Sequence, residues 1–199
     1  MSSPVAVDLF AEDRAHESLL RALIARIATE EGLQARVRVR SARGGHGRVL
    51  TEFRAYQQAA IAGLAGGLPQ LMVAAIDANC RAFAAAHREV TDALLPDLRS
   101  ICVPACPDPH IERWFLADPK AFHQVVGVGA DMPQAKCERD LYKHILSQAV
   151  VKAGHPPTLG GIEFAADLVR AMDLYRAGRA CSSLKHFVDE LRGRLKRLS

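Results

Sequence analysis

Aromatic residues are scarce in this 199-residue chain, since Phe, Trp and Tyr together make up only 6% of it. Ala, Leu and Val must therefore fill most of the core, and a hydrophobic fraction of 49% is enough to build one. Long apolar runs are also lacking, because no window approaches the roughly 18 uncharged apolar residues that a membrane span needs. The length indicates one domain, or one domain with a helical appendage.

Cysteine follows no recognisable framework, and its odd number and irregular spacing do not suit a set of disulfides. Cys102 and Cys106 are four apart, but no second pair completes a zinc site of four ligands. Reduced thiols are therefore expected. The N-terminal stretch MSSPVAVDLF has no basic segment and no long apolar stretch, which argues against a signal peptide. These absences predict a cytoplasmic protein that does not associate with a membrane.

Excess charge is also small, because the formal net charge is only +4 and the pI is about 8.9. This balance permits nucleic-acid binding without requiring it. Arginines cluster at 36–48, where the glycine-rich loop SARGGHGR offers Arg43, His46 and Arg48 as contacts for phosphate, since flexible glycines let the backbone approach an anion. A plain mobile loop is the alternative interpretation of the same stretch.

Strand-like and helical segments alternate through the first 122 residues. Strands are predicted at 5–12, 34–41, 70–79 and 100–106, and helices at 13–32, 50–65, 80–98 and 107–122. This order predicts an α/β fold with about four strands in a mainly parallel sheet, flanked by helices. Local signals for the helix ends are Gly32 after the first, Thr51 capping the second, and Asp108 capping the fourth with Pro109 at its first position.

Helical periodicity alone continues from residue 134 onward, in segments 134–154, 161–178 and 181–198. Ser182 or Ser183 is the expected cap of the last segment. We therefore predict an α/β core at 1–133 and a helical C-terminal portion at 134–199 that packs on it as a single compact unit.

Polar residues follow three of the predicted strands, and ligands in open α/β sheets bind at the carboxyl ends of strands. Hard cations such as Mg²⁺ take oxygen ligands, and converging carboxylates need a counter-charge, so this edge predicts a metal site. Each acid also has a structural interpretation as a cap, a turn residue or an exposed charge. The residues at this edge are Glu12 and Asp13, Asp77 and Asn79, and Asp108, His110 and Glu112.

Two short motifs, FAED after the first strand and AIDAN after the third, resemble the Toprim pattern of a Glu on one strand end and a DxD on another. PDPHIERWFLAD and ACSSLKHFVDELR are similar to segments of small uncharacterised Toprim-like proteins. The resemblance implies a Toprim/Rossmann-like fold and a nuclease that uses Mg²⁺ or Mn²⁺ to cleave phosphodiester bonds in DNA or RNA.

By position, the resemblance makes Glu12 a metal ligand or general acid/base and Asp77 a direct ligand. Asn79 departs from the pattern, because it stands where the second Asp of DxD belongs and offers only one neutral oxygen. Glu112 is the preferred substitute, so the predicted catalytic residues are Glu12, Asp77 and Glu112, with Asn79 as a further metal ligand. The polar residues expected behind these ligands are Asp13, His16, Asp108 and His110.

Toprim-like nucleases of this size resemble one half of bacterial defence pairs, which implies a separate ABC- or AAA-type ATPase partner. No GxxxxGK[ST] motif occurs here, so any ATP dependence must come from another chain. A homo-oligomer is compatible with the sequence. The alternatives are a catalytically weak module that binds nucleic acid or a partner, and an Mg²⁺-dependent phosphotransferase or phosphatase. Two further residues are expected to be structural. Cys80 is interpreted as a buried thiol at the start of a helix, and Trp114 as a core residue rather than a base-stacking one.

Overall fold

The structure is a computed structural model that describes residues 3–40, 46–133, 135–138, 140–156 and 158–199, without the side chain of His46. The strands in these ranges are β1 (Val5–Phe10), β2 (Ala35–Val39), β3 (Leu71–Ala75) and β4 (Cys102–Ala105). The helices are α1 (Arg14–Glu30), α2 (His46–Ile61), α3 (Phe83–Asp92), α4 (Glu112–Phe115), α5 (Pro119–Val126), α6 (Leu141–Lys152), α7 (Ala165–Ala171), α8 (Leu174–Ala180) and α9 (Ser182–Leu195). Short 3₁₀ helices lie at Pro96–Ile101 and Ile162–Phe164.

The four strands form one sheet in the order β2-β1-β3-β4, and every neighbouring pair is parallel. This confirms the predicted α/β class, with an all-parallel sheet flanked by helices and a helical C-terminal portion. The chain adds β2 on one side of β1 and then crosses to add β3 on the other side. The order therefore reverses between β1 and β3, which is the position where open α/β sheets hold their ligands.

Both faces of β3 are covered, and all five of its residues are buried. Leu71 and Val73 belong to a hydrophobic cluster with α1 and the C-terminal helices, whereas Met72 and Ala74 belong to a second cluster with α2 and α3. Successive side chains of a strand point to opposite faces, so one apolar run serves both layers. Full burial of each larger aliphatic side chain contributes about 1.5–3 kcal/mol.

The C-terminal helices share the first cluster with the sheet. Trp114 of α4 is fully buried against Phe187 of α9, with ring centroids 5.5 Å apart. Its indole N–H donates a hydrogen bond of 2.9 Å to Ser183 Oγ. Trp114 is therefore a core residue, and base stacking by it is excluded. Across the described part of the chain, no helix combines the length and apolar character needed to cross a membrane.

Several predicted helix boundaries in the first half are wrong. Gly32 does follow α1, with a φ of +74°, but α2 already begins at His46, and the Thr51 hydroxyl donates to the carbonyl of Gly47 inside it. Helix α3 ends at Asp92 rather than reaching 98, because the residue before Pro96 is held in an extended conformation. Cys80 lies in the turn before α3 and is exposed, so its predicted burial is also wrong.

The predicted helix at 107–122 is two helices, α4 and α5. Asp108 does not cap either of them; Asp118 caps α5 by accepting from the amides of Lys120 and Ala121, and Pro119 occupies the first position. An extended Asp followed by Pro interrupts the helix, since Pro removes a donor and restricts the residue before it.

The predicted serine cap of the last helix is also wrong. Cys181 occupies the N-cap position of α9, and no side chain forms a capping hydrogen bond there. Ser183 Oγ instead accepts from Trp114 and from the amide of Asp108. The segment at 161–178 splits into α7 and α8, since Met172 is extended and Asp173 caps α8.

Candidate metal site at the carboxyl edge of the sheet

Backbone hydrogen bonds beyond the ends of β3 and β4 shape the candidate site. Ile76 N–H donates to the carbonyl of Ala105, and the amides of Ala78 and Asn79 donate to the carbonyls at positions 107 and 109. These bonds continue the pairing of the segments that follow β3 and β4 beyond the sheet, so His110 comes to lie beside Asp77. Glu12 and Asp13 follow β1, the other neighbour of β3. The residues that follow β1, β3 and β4 thus meet at the reversal of strand order.

His16 lies at the centre of this edge, on the first turn of α1, and is fully buried. Its Nδ1 is 2.9 Å from Asp13 Oδ1 and its Nε2 is 3.0 Å from Asp77 Oδ1. Asp13 also accepts from the backbone N–H of His16, at 3.0 Å, and so caps α1. A ring that faces a carboxylate at both nitrogens is held as the doubly protonated imidazolium.

Burial and the neighbouring charges act in opposite directions on the pKa of His16. Burial alone would lower this pKa, but the neighbouring carboxylates of Asp77 and Asp13 outweigh burial and raise it well above 6.5. The same ion pair, opposed by burial, lowers the pKa of Asp13 to about 2. Without a metal, the ring therefore supplies the positive charge that the converging acids need.

Asp77 faces a histidine with each of its oxygens. Its Oδ2 lies 3.2 Å from Nδ1 of His110, opposite the oxygen that meets His16. Burial would raise the pKa of Asp77, but His16 and His110 hold it below its ordinary value. The hydrogen bond with Asp77 in turn raises the pKa of His110. Asp77 is therefore an ionised carboxylate, only 8% exposed, that joins two rings.

Glu12 and Glu112 complete the edge. Ligand atoms of Glu12, His16 and Asp77 all lie within 4.8 Å of one another. Glu112 is the first residue of α4 and only 8% exposed, and burial together with the charge of Asp77 raises its pKa. Carboxylate oxygens suit Mg²⁺ and Mn²⁺, and an imidazole nitrogen shifts the preference toward transition metals. The donor set Glu12–His16–Asp77 therefore fits a divalent cation, and Mn²⁺ better than Mg²⁺.

Asn79 and Asp108 lie apart from this group of side chains. Asn79 is exposed, with a left-handed φ of +55°, and its amide donates to the carbonyl of Asp77 at 3.2 Å. The predicted strand at 70–79 ends at Ala75, so Asp77 and Asn79 do not belong to the strand and do not share a strand face. Asp108 pairs instead with Lys136 at 2.7 Å. The ligand role of Asn79 and the supporting role of Asp108 stay predictions that this geometry does not favour.

Only part of the predicted phosphate-binding loop can be located. Arg43 lies outside the described residues, as does the side chain of His46. Arg48 lies on α2, is exposed, and pairs with Glu52 at 3.3 Å one turn along the helix. The prediction that these three residues contact nucleic acid therefore stays a prediction.

Asp8 is a buried charge that sequence reasoning missed. It is fully buried in β1, with one oxygen 2.7 Å from Nε of Arg38 and the other 3.2 Å from Nε of Arg40. The Tyr56 hydroxyl donates to Asp8 at 2.5 Å. The available signal was a lone acid inside the apolar strand VAVDLF, paired in register with Arg38 of β2. Two arginines of the basic strand are therefore partly neutralised.

Arg81 is the second residue that the sequence did not single out. Its guanidinium donates to the backbone carbonyl of Asp77 at 3.3 Å and forms an ion pair with Glu89 of α3. It thus ties the turn that carries Asp77 to the next helix.

The fold and the site together define an α/β protein with an acidic, histidine-bridged cluster at the switch point of a parallel sheet. Comparison of the chain with protein-family models, with curated proteins and with solved structures finds no match. The Toprim resemblance therefore stays a prediction from the sequence.

Proposed function

We propose that this protein is a divalent-metal-dependent nuclease of Toprim type. The observation that carries the proposal is the convergence of Glu12, His16 and Asp77 within 4.8 Å at the carboxyl edge of the sheet, with buried Glu112 beside them. Glu12, Asp77 and Nε2 of His16 would hold the ion, which would displace the Nε2 proton of the imidazolium to solvent. Mg²⁺ or Mn²⁺ bound there would act as a Lewis acid and lower the pKa of a coordinated water.

Asp13 has a defined task in this arrangement. It holds Nδ1 of His16 at 2.9 Å and so directs Nε2 toward Asp77. A carboxylate on the far nitrogen orients a metal-ligating histidine and increases its basicity. His16 is therefore proposed as a ligand rather than the supporting residue that the sequence suggested, and Asp13 as the residue that positions it.

His110 keeps Asp77 in place from the other side, at 3.2 Å from Oδ2. Since His110 is only partly buried, its imidazole can also reach a substrate phosphate from solvent. A positively charged imidazolium at that position stabilises an anionic substrate.

A polymeric anion is the substrate class we favour. The chain carries a net charge of +4, and Arg38 of β2 and Arg40 directly after it stay partly exposed although Asp8 neutralises part of their charge. The polymer is DNA or RNA, and the cleavage assay below distinguishes the two. Assembly with a separate ABC- or AAA-type ATPase rests on the Toprim resemblance alone.

Cleavage assays with matched variants test the proposal. Plasmid, single-stranded DNA and tRNA are incubated with the protein and Mg²⁺ or Mn²⁺, beside Asp77→Asn and the control Asp189→Asn, an exposed acid on α9. We expect cleavage that needs the metal, is greater with Mn²⁺, and falls at least 100-fold in Asp77→Asn only. Equal cleavage by Asp77→Asn and wild type would contradict the site.

A passive binding module is the second candidate, and one observation favours it. His16 and His110 already satisfy both oxygens of Asp77, so this carboxylate is paired without a metal. Nucleic-acid binding without cleavage, with or without an ATPase partner, would support this candidate. Hydrolysis of a small phosphate ester but no polymer would point to a phosphatase instead.

A further inference from the structure

A second group of metal-ligating side chains lies between α3 and α9, where none was predicted from the sequence. His87 comes from α3, and His186 and Glu190 lie four residues apart on one face of α9. Nε2 of His87 is 3.4 Å from Nε2 of His186, and Oε2 of Glu190 is 3.9 Å and 3.7 Å from these two nitrogens. These three ligand atoms thus form a nearly equilateral triangle.

The dimensions of this triangle match a transition-metal site. A point equidistant from the three atoms lies about 2.1 Å from each, and zinc binds histidine nitrogen and carboxylate oxygen at about 2.0–2.2 Å. Two histidines and one glutamate are a known zinc donor set that leaves a position for water. That point lies in the plane of the three atoms, so a tetrahedral ion with a fourth, water position would draw them slightly closer together.

Surrounding contacts hold the ligands in this orientation. The ring of Phe83 packs against both imidazoles, with centroids 5.7 Å from His87 and 5.2 Å from His186. Arg194 pairs with Oε1 of Glu190 at 3.6 Å, which leaves Oε2 to face the histidines. Neighbouring groups that fix the orientation of metal ligands increase the affinity of a site.

Access and charge also suit a metal ion. The three side chains are between 26% and 47% exposed, so an ion can enter from solvent. Two imidazole nitrogens that face each other at 3.4 Å have room for at most one proton between them, whereas an ion satisfies both.

We propose that His87, His186 and Glu190 form a Zn²⁺ site that joins α3 to α9. This site is separate from the cluster around Asp77 and does not depend on the proposed nuclease activity. Its ion would cross-link α9 to a helix on the opposite face of the sheet. Zinc binding would therefore stabilise the packing of the C-terminal helix on the α/β core.

Zinc titration of the full-length protein tests this site. Wild type, His87→Ala and His186→Ala are freed of metal with a chelator, and zinc stoichiometry is measured by calorimetry beside His123→Ala, which removes an exposed histidine of α5. Exposed thiols and the Asp77 cluster can also bind zinc. The quantity compared is therefore the difference in zinc stoichiometry between wild type and each variant. We expect both ligand variants, and not His123→Ala, to bind one Zn²⁺ fewer per chain.

Thermal melting and cobalt spectra provide independent readouts. At 100-fold excess over Kd, zinc should raise the Tm of wild type by about 5–10 °C more than that of His186→Ala. Co²⁺ should give visible bands of a tetrahedral ion that are lost in both ligand variants. Melting in chelator distinguishes a misfolded variant from one that has only lost a zinc ligand. Without zinc, a correctly folded variant should have the same Tm as wild type. Zinc stoichiometry equal to wild type in both ligand variants would overturn the site.

Discussion

Replacing Asp77 by Asn removes the carboxylate that faces both His16 and His110 while keeping the size of the side chain. The amide oxygen can still accept one hydrogen bond, so the loss is mainly that of the charge. Hydrogen bonds to charged groups contribute about 1.5–3 kcal/mol each, and we expect a loss of that order in the free energy of unfolding. For a chain of this length, the Tm should fall by about 3–12 °C.

The loss of unfolding free energy in Asp77→Asn should depend on pH. The pKa of His16 is raised on folding, so its contribution is complete below pH 6.5 and disappears as pH rises through the folded pKa, well above 6.5. The pKa of Asp77 is lowered, so its contribution is present above pH 3.8 and disappears as pH falls through the folded value. The difference in unfolding free energy between wild type and Asp77→Asn is therefore greatest between pH 3.8 and pH 6.5. It becomes smaller as pH falls through the folded pKa of Asp77 or rises through that of His16.

Urea unfolding followed by circular dichroism, in chelator and at a series of pH values, measures this difference. Asp189→Asn is the matched control, because its carboxylate is exposed and pairs with exposed Lys185, so the change should alter stability by less than about 0.5 kcal/mol. A difference between wild type and Asp77→Asn that does not change with pH would refute the claim that His16 is charged. A variant as stable as wild type throughout would refute the ion-pair network itself.

Two further variants test contacts that the sequence did not reveal. Burial and Asp8 both raise the pKa of Tyr56, to about 12, so Asp8→Asn should lower it; ultraviolet titration of the phenol measures the shift. An unchanged titration would mean that Asp8 does not act on Tyr56. Trp114→Phe deletes the hydrogen bond to Ser183 in the core and should destabilise the fold by about 1–3 kcal/mol in urea. Full stability in that variant would mean that the bond contributes nothing.

The sequence by itself determined the class of fold and the position of the acids along the chain. Local periodicity shows where strands and helices lie, because alternation of apolar residues reflects which face of an element is buried. Polar residues that follow apolar strands then mark the carboxyl edge of the sheet, as Glu12 and Asp77 do. The helix starts predicted from Thr51 and Asp108 were wrong. A Thr or Asp side chain can cap a helix, but it can also pair with a cation or bond to a carbonyl inside a helix.

Only the tertiary structure decided which of these residues meet. The strand order makes β3 the neighbour of β1, and this contact between residues far apart in sequence brings Asp77 to His16. The left-handed turn at Asn79 and the pairing of His87 with His186 likewise depend on how whole elements pack. A local pattern records the burial of each residue, whereas distances between side chains on different elements follow from packing, which no window of sequence contains.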